Sequence, residues 1–165
     1  MEHITFEQLG ISAEILQALE KKGYGYPTQV QEEAIPPLME WKDVIAKAPT
    51  GTGKTFAFGI PVIEHIDPTS ETVQAAILAP TRELAIQIGD ELRGLLEFKK
   101  GIRIAVLYGG QRLEAQARQL ARKPQIVVAT PGRLMDHYKR KNLRFDGIKT
   151  VVLDEADRML DMGFF

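Results

Sequence analysis

Short β-branched runs recur along this chain and alternate with amphipathic stretches, which narrows the folds open to it. Val44-Ile45-Ala46, Val73 to Ala79, Ile102 to Leu107, Ile126 to Ala129 and Val151-Val152-Leu153 are nearly unbroken apolar segments. Apolar runs without polar alternation suit strands covered on both faces, as in a parallel sheet. Between them lie segments with helical spacing, such as Glu83, Leu84, Ile88, Leu92, Leu95 and Leu96. Strands alternating with helices predict an α/β fold, a parallel sheet joined by right-handed crossovers and flanked by helices on both faces. The expected plan is a helical prelude, Ser12 to Lys22 and Thr28 to Met39, followed by five strands with intervening helices. Ser12, ahead of Ile15, Leu16 and Leu19, reads as the N-cap of the first helix.

Composition sets outer limits. The chain has 165 residues, 44% hydrophobic and 26% charged, which excludes disorder as its main state. Cysteine is absent, so disulfides, thiolate nucleophiles and Cys-ligated metals are excluded. Met1 to Glu7 lacks the basic and apolar regions of a secretory signal, and no apolar run approaches the ~20 residues of a membrane span. A monomeric cytoplasmic protein without a membrane partner is the expectation. The net charge of −1 argues at first sight against a nucleic-acid partner. Yet residues 1–82 hold 6 Lys and Arg against 11 Asp and Glu, while residues 83–165 hold 15 against 11, an acidic half and a basic half. His3, His65 and His137 have no ligand spacing, Trp41 reads as packing, and Lys139-Arg140-Lys141 as a solvated helix end. The chain stops on Phe164-Phe165, which suggests a piece of something longer.

Two segments carry chemistry. Ala48-Pro49-Thr50-Gly51-Thr52-Gly53-Lys54-Thr55 follows an expected strand and precedes an expected helix. Gly51 and Gly53 permit the tight turn that lets backbone amides cradle a phosphate, and the next helix aims its positive end at the anion. Lys54 then reaches the β- and γ-phosphates and Thr55 offers a hydroxyl to Mg²⁺. The usual pattern has Gly where this chain has Ala48. Asp154-Glu155 comes at the carboxyl end of Val151-Val152-Leu153, where open α/β sheets place their ligands. An Asp there holds Mg²⁺, partly through water, and a neighbouring Glu orients or deprotonates the attacking water. Together they read as an NTP-hydrolysing site.

Asp154-Glu155-Ala156-Asp157 spells the signature of the DEAD-box RNA helicases, and other stretches resemble that family's motifs in order. Phe6, Gly23-Tyr24, Pro27-Thr28 and Gln31 look like its adenine-recognition motif. Ala48 to Thr55 is similar to its phosphate loop, which takes Ala first. Pro80-Thr81-Arg82-Glu83-Leu84-Ala85, Gly109-Gly110 and Thr130-Pro131-Gly132-Arg133 resemble its RNA-backbone motifs.

The resemblance implies a RecA-like P-loop NTPase domain, residues 41–165, preceded by an adenine-recognition segment, residues 1–40. It also implies an ATP-dependent RNA helicase that hydrolyses ATP to ADP and phosphate with Mg²⁺ as cofactor. Lys54, Asp154 and Glu155 are the catalytic candidates, with Thr55 and Asp154 toward the metal. Phe6, Tyr24, Thr28, Gln31, Thr50, Gly51, Thr52, Gly53, Lys54 and Thr55 are the nucleotide-binding candidates, and Gln31 has the donor and acceptor to read adenine. Pro80, Thr81, Arg82, Gly109, Gly110, Thr130, Pro131, Gly132 and Arg133 are the RNA candidates. Helix N-termini, hydroxyls and arginines of this kind hold phosphate and sugar without reading sequence. Asp157 would couple to a Ser-Ala-Thr motif and a second RecA-like domain, neither of which is in this chain, so these residues alone are expected to be essentially inactive. A small-molecule P-loop kinase and a non-catalytic ATP-gated RNA clamp are the rival readings.

Overall fold

The computed structural model describes residues 4–48 and 53–163, in two compact units: Met1–His65 with Glu91–Lys100, and Ile66–Asp90 with Gly101–Phe165. The first unit is helical. A 3₁₀ turn at Glu7–Leu9 precedes α1 (Ala13–Lys21), α2 (Gln29–Met39) and α3 (Lys54–Glu64). Ile15, Leu19, Ile35, Ile60 and Ile63 are fully buried, as the i, i+3, i+4 spacing requires. A methyl built on Gly59 would lie 2.6 Å from Leu92 Cδ2, so the missing side chain lets helix α3 receive that leucine.

Ser12 stands at the N-cap of α1, but its hydroxyl does not cap its own helix. It donates instead to Glu64 Oε1 at 2.7 Å, and the Ser12 backbone N–H donates to Glu64 Oε2 at 2.8 Å. Lys99 Nζ adds a third contact, 3.2 Å from Oε1, on a carboxylate whose side chain is only 8% exposed. The last residue of α3 therefore fixes the first of α1.

The second unit holds β1 (Ala75–Leu78), β2 (Ile104–Leu107), β3 (Ile126–Ala129) and β4 (Thr150–Leu153), parallel and ordered β2-β3-β1-β4. The helices α5 (Leu113–Ala121), α6 (Pro131–Lys139) and α7 (Ala156–Asp161) belong to this unit, while α4 (Arg82–Leu95) has residues in both. Successive strand residues face opposite sides, and all four of β3 are fully buried, so the sheet is covered on both faces at β3. On one side Ala105, Leu107, Val127 and Ala129 cluster with Leu120 of α5, Leu134 of α6 and Leu143. The register puts the final residues level, Leu78 opposite both Ala129 and Leu153, and Leu107 opposite Ala129.

Four of the five expected strands form, within about two residues of their expected limits. Val44-Ile45-Ala46 does not, and Ile45 is 95% exposed. A β-branched run becomes a strand only where a ladder partner and a packed face support it, and among the described residues this one has neither. At the sheet edge, β4 leaves Val151 and Leu153 exposed on one face while Thr150 and Val152 are half-buried. Among the described residues no helix is long and apolar enough to cross a membrane.

Glu64→Ala should lower stability by about 2–3 kcal/mol, because it removes a buried acceptor from a backbone amide, a hydroxyl and an ammonium together. Urea unfolding followed by circular dichroism measures this, and an unchanged midpoint would show that the Ser12–Glu64–Lys99 contacts do not hold α1.

Candidate functional site

Helix α3 begins at Gly53, whose φ of 80° and ψ of 20° lie in the left-handed region that glycine alone enters without strain. Lys54 and Thr55 form its first turn. The candidates Thr50, Gly51 and Thr52, with Pro49, lie outside the described residues. Thr28 caps α2 through a reciprocal box: its hydroxyl accepts from Gln31 N at 3.4 Å, and Gln31 Oε1 accepts from Thr28 N at 2.9 Å. Gln31 Nε2 then donates to Gly53 O at 3.0 Å. A methyl on Gly53 would sit 2.3 Å from that nitrogen, so only glycine admits the contact. Gln31 is buried and each end of its amide is already bonded, leaving one N–H and one lone pair for a base edge. Its first visible role is to tie α2 to the glycine that opens α3. Tyr24 is half-exposed and stands edge-on to Phe56, with centroids 5.3 Å apart at 87°. Phe6 is buried and, with Tyr24, borders an open cavity of about 500 Å³.

Asp154 follows β4 directly, nearly buried, and its backbone N–H donates to Leu78 O at 2.9 Å, extending the β1–β4 ladder one step. Glu155 then takes φ 54° and ψ 50°, left-handed for a residue with a Cβ. That conformation costs about 1–2 kcal/mol, and strain of this kind clusters at functional turns. The turn frees Glu155 to begin α7, with its carboxylate 3.5 Å from Arg158 Nη1. Asp157 lies exposed in the first turn of α7. Among the described residues no group of three or more His, Asp or Glu could hold a metal ion by itself.

The three candidate RNA stretches meet. Each follows a strand end: Pro80-Thr81-Arg82 after β1, Gly109-Gly110 after β2 and Thr130 to Arg133 after β3. The Arg82 guanidinium lies over the Tyr108 ring at 4.9 Å, and a methyl on Gly110 would approach Arg82 Nη1 to 3.3 Å. Arg133 Nη2 donates to Gln111 O at 3.1 Å. Gly110 has a φ of 86°, so the loop turns where no side chain is easily carried. Thr81 Oγ1 accepts from Leu84 N at 3.2 Å and so caps α4, whereas the Thr130 hydroxyl leaves the N-terminal amides of α6 uncapped, with Pro131 behind it. Two arginines, two glycines and a helix N-terminus in one place can hold a sugar–phosphate chain.

Beneath this loop lie residues that sequence reasoning missed. Gln116, His137 and Asn142 are linked by hydrogen bonds, with the first two fully buried. Burial, with Arg133 and Arg140 nearby, holds the His137 imidazole below the usual histidine range, against the opposing pull of Asp136. Only the strand-end position of the loop could have pointed to them, since nothing in their spacing marks a site.

A family model described as DEAD/DEAH box helicase matches residues 28–165. The chain is 50% identical over 160 residues to a protein of Bacillus cereus named DEAD-box ATP-dependent RNA helicase CshA, covering 97% of this chain and 30% of that one. It is 51% identical over 161 residues to the ATP-dependent RNA helicase CshA of Limosilactobacillus reuteri, covering 98% and 32%. Among solved structures, a DEAD box protein from the hyperthermophile Methanococcus jannaschii superposes with a TM-score of 0.92 at 42% identity, covering all of this chain and 45% of that one. The chain thus spans about a third of the length of the curated relatives it matches.

Gly53→Ala should cost about 2 kcal/mol, from backbone strain plus the lost Gln31 bond, read as a lower denaturation midpoint. An unchanged midpoint would contradict the close contact. Because the native His137 pKa lies below that of the unfolded chain, the unfolded chain binds more protons in acid, so stability should fall as pH drops below about 6.5. His137→Gln should flatten that slope in denaturation curves between about pH 7 and pH 5, and an unaltered slope would assign the loss to other groups.

Proposed function

The chain belongs to the DEAD/DEAH box helicase family, and from that premise we propose that it is the first, nucleotide-binding RecA-like domain of an ATP-dependent RNA helicase. The observation that carries the RNA part is the meeting of Arg82, Gly109-Gly110 and Arg133 around one strand-end loop. On this reading residues 1–40 serve adenine recognition and residues 41–165 form the RecA-like domain, with a second such domain elsewhere in the full-length protein. The RNA is held through its backbone, so binding is independent of sequence.

Each residue has a chemical task. Tyr24 offers a face to the adenine, with Phe6 bracing its segment. Gln31 spends its remaining donor and acceptor on the base edge and, through Gly53, links that recognition to the start of α3. Lys54 neutralises charge on the β- and γ-phosphates, while Thr50, Gly51 and Thr52 wrap the phosphates with backbone amides. The Thr55 hydroxyl and Asp154 carboxylate are hard oxygen donors of the kind that would hold Mg²⁺. When bound, that ion supplies charge neutralisation on the triphosphate. Glu155, on the left-handed turn that follows β4, orients the attacking water and accepts its proton. Asp157 passes the state of this site to the second domain, whose arginines stabilise the transferring phosphoryl group. Closure of the two domains on ATP bends one RNA strand, and phosphate release reopens them.

In the full-length protein Glu155→Gln should leave ATP binding within about twofold and lower RNA-stimulated turnover by about 10²-fold or more. Turnover close to wild type would remove Glu155 from the chemistry. The 165 residues alone should show almost no RNA-stimulated ATPase activity in a phosphate-release assay. Robust release would show that the second domain is not needed.

A further inference from the structure

The Tyr108–Gln111 loop is held from beneath by a hydrogen-bond relay that has only one consistent polarity. Gln116 Nε2 donates to Tyr108 O at 2.8 Å and to Gln111 Oε1 at 2.9 Å. A backbone carbonyl only accepts, so the Gln116 amide cannot be reversed. Its Oε1 is then left to accept from His137 Nε2, 3.1 Å away. The imidazole proton must therefore sit on Nε2, and Nδ1 takes the 3.1 Å bond donated by Asn142 Nδ2. Asn142 is fixed in turn, because its backbone N–H donates to His137 O at 2.9 Å.

Buried polar groups of this kind cost free energy unless each is satisfied, and apolar side chains would fill the same space between α5 and α6 without that demand. What the relay supplies is direction. Both bonds donated by Gln116 go to residues flanking Gly109-Gly110. Helix α6 therefore grips the loop twice, from the same face one turn apart: Arg133 holds Gln111 O directly, and His137 holds Tyr108 O and the Gln111 side chain through Gln116.

We propose that His137 is a positioning residue for RNA: through Gln116 it fixes the Gly109-Gly110 backbone in the conformation that receives a sugar–phosphate chain. Its effect passes entirely through Gln116, and it touches neither RNA nor nucleotide. This rests on the RNA reading given above.

The test compares His137→Phe, which keeps a ring but donates nothing, with His137→Gln, whose amide nitrogen can occupy the place of Nε2. In the full-length protein, binding of a fluorescent single-stranded oligoribonucleotide with a non-hydrolysable ATP analogue should weaken roughly tenfold for His137→Phe and recover to within about threefold for His137→Gln. Affinity for a fluorescent adenine nucleotide without RNA should stay within about twofold in both. Asn142→Ala, at the half-buried end of the relay, should weaken RNA binding without a large loss of fold. Unchanged RNA affinity in His137→Phe, equal loss in Phe and Gln variants, or a matching loss of nucleotide affinity would each overturn the proposal. Amide hydrogen exchange at residues 108–111 supplies a readout that does not need RNA: exchange should quicken in His137→Phe and be restored in His137→Gln. A wild-type protein that binds no RNA would refute the helicase reading itself, and loop exchange unaffected by His137→Phe would then refute the relay separately.

Discussion

The level ends of four parallel strands are the constraint on which the second unit depends. Leu78, Leu107, Ala129 and Leu153 close their strands in register. The next residues of each must therefore leave the sheet at one edge. Pro80-Thr81-Arg82, Tyr108 to Gln111, Thr130 to Arg133 and Asp154-Glu155 are those residues, gathered from stretches more than seventy positions apart. Parallel pairing requires right-handed crossovers, and the crossovers bury both faces, which makes the strands continuous apolar runs. One architectural fact thus explains the sequence pattern and the clustering of chemistry at one edge.

The strands legible in the sequence were those with a partner. Ile126 to Ala129 forms as expected because it is buried on both faces, and Val73 to Ala79 shortens to Ala75–Leu78, with the Gln74 side-chain amide bonded to the Asp67 backbone just ahead of the strand. Val44-Ile45-Ala46 has a similar composition but, among the described residues, no ladder partner, and composition cannot supply one. The helical starts were legible where capping chemistry is local, as in the Thr28–Gln31 box and Pro131 in the first turn of α6. Ser12 was legible as a position but not as a contact, since its partner Glu64 lies 52 residues away.

The same distinction runs through the site. Motif residues could be read one by one because each carries its own chemistry. Their supports could not. Gln31 reads as a base sensor, yet its bond to Gly53 appears only once α2 and α3 are placed. Gln116 and His137, 21 residues apart, become partners only because α5 and α6 pack side by side on the sheet. In both cases one carboxamide bonds groups from separate segments, two for Gln31 and three for Gln116, a compact means of fixing a loop in a dry interior.

Photo-crosslinking is the most direct test of the proposed RNA contact at the strand-end loops. A single-stranded RNA carrying a photoreactive backbone or base is bound to the full-length protein with a non-hydrolysable ATP analogue, and the crosslinked peptides are mapped by mass spectrometry. Crosslinks are expected at Pro80–Arg82, Tyr108–Gln111 and Thr130–Arg133. RNA bound with crosslinks elsewhere, and none in these three loops, would contradict that contact.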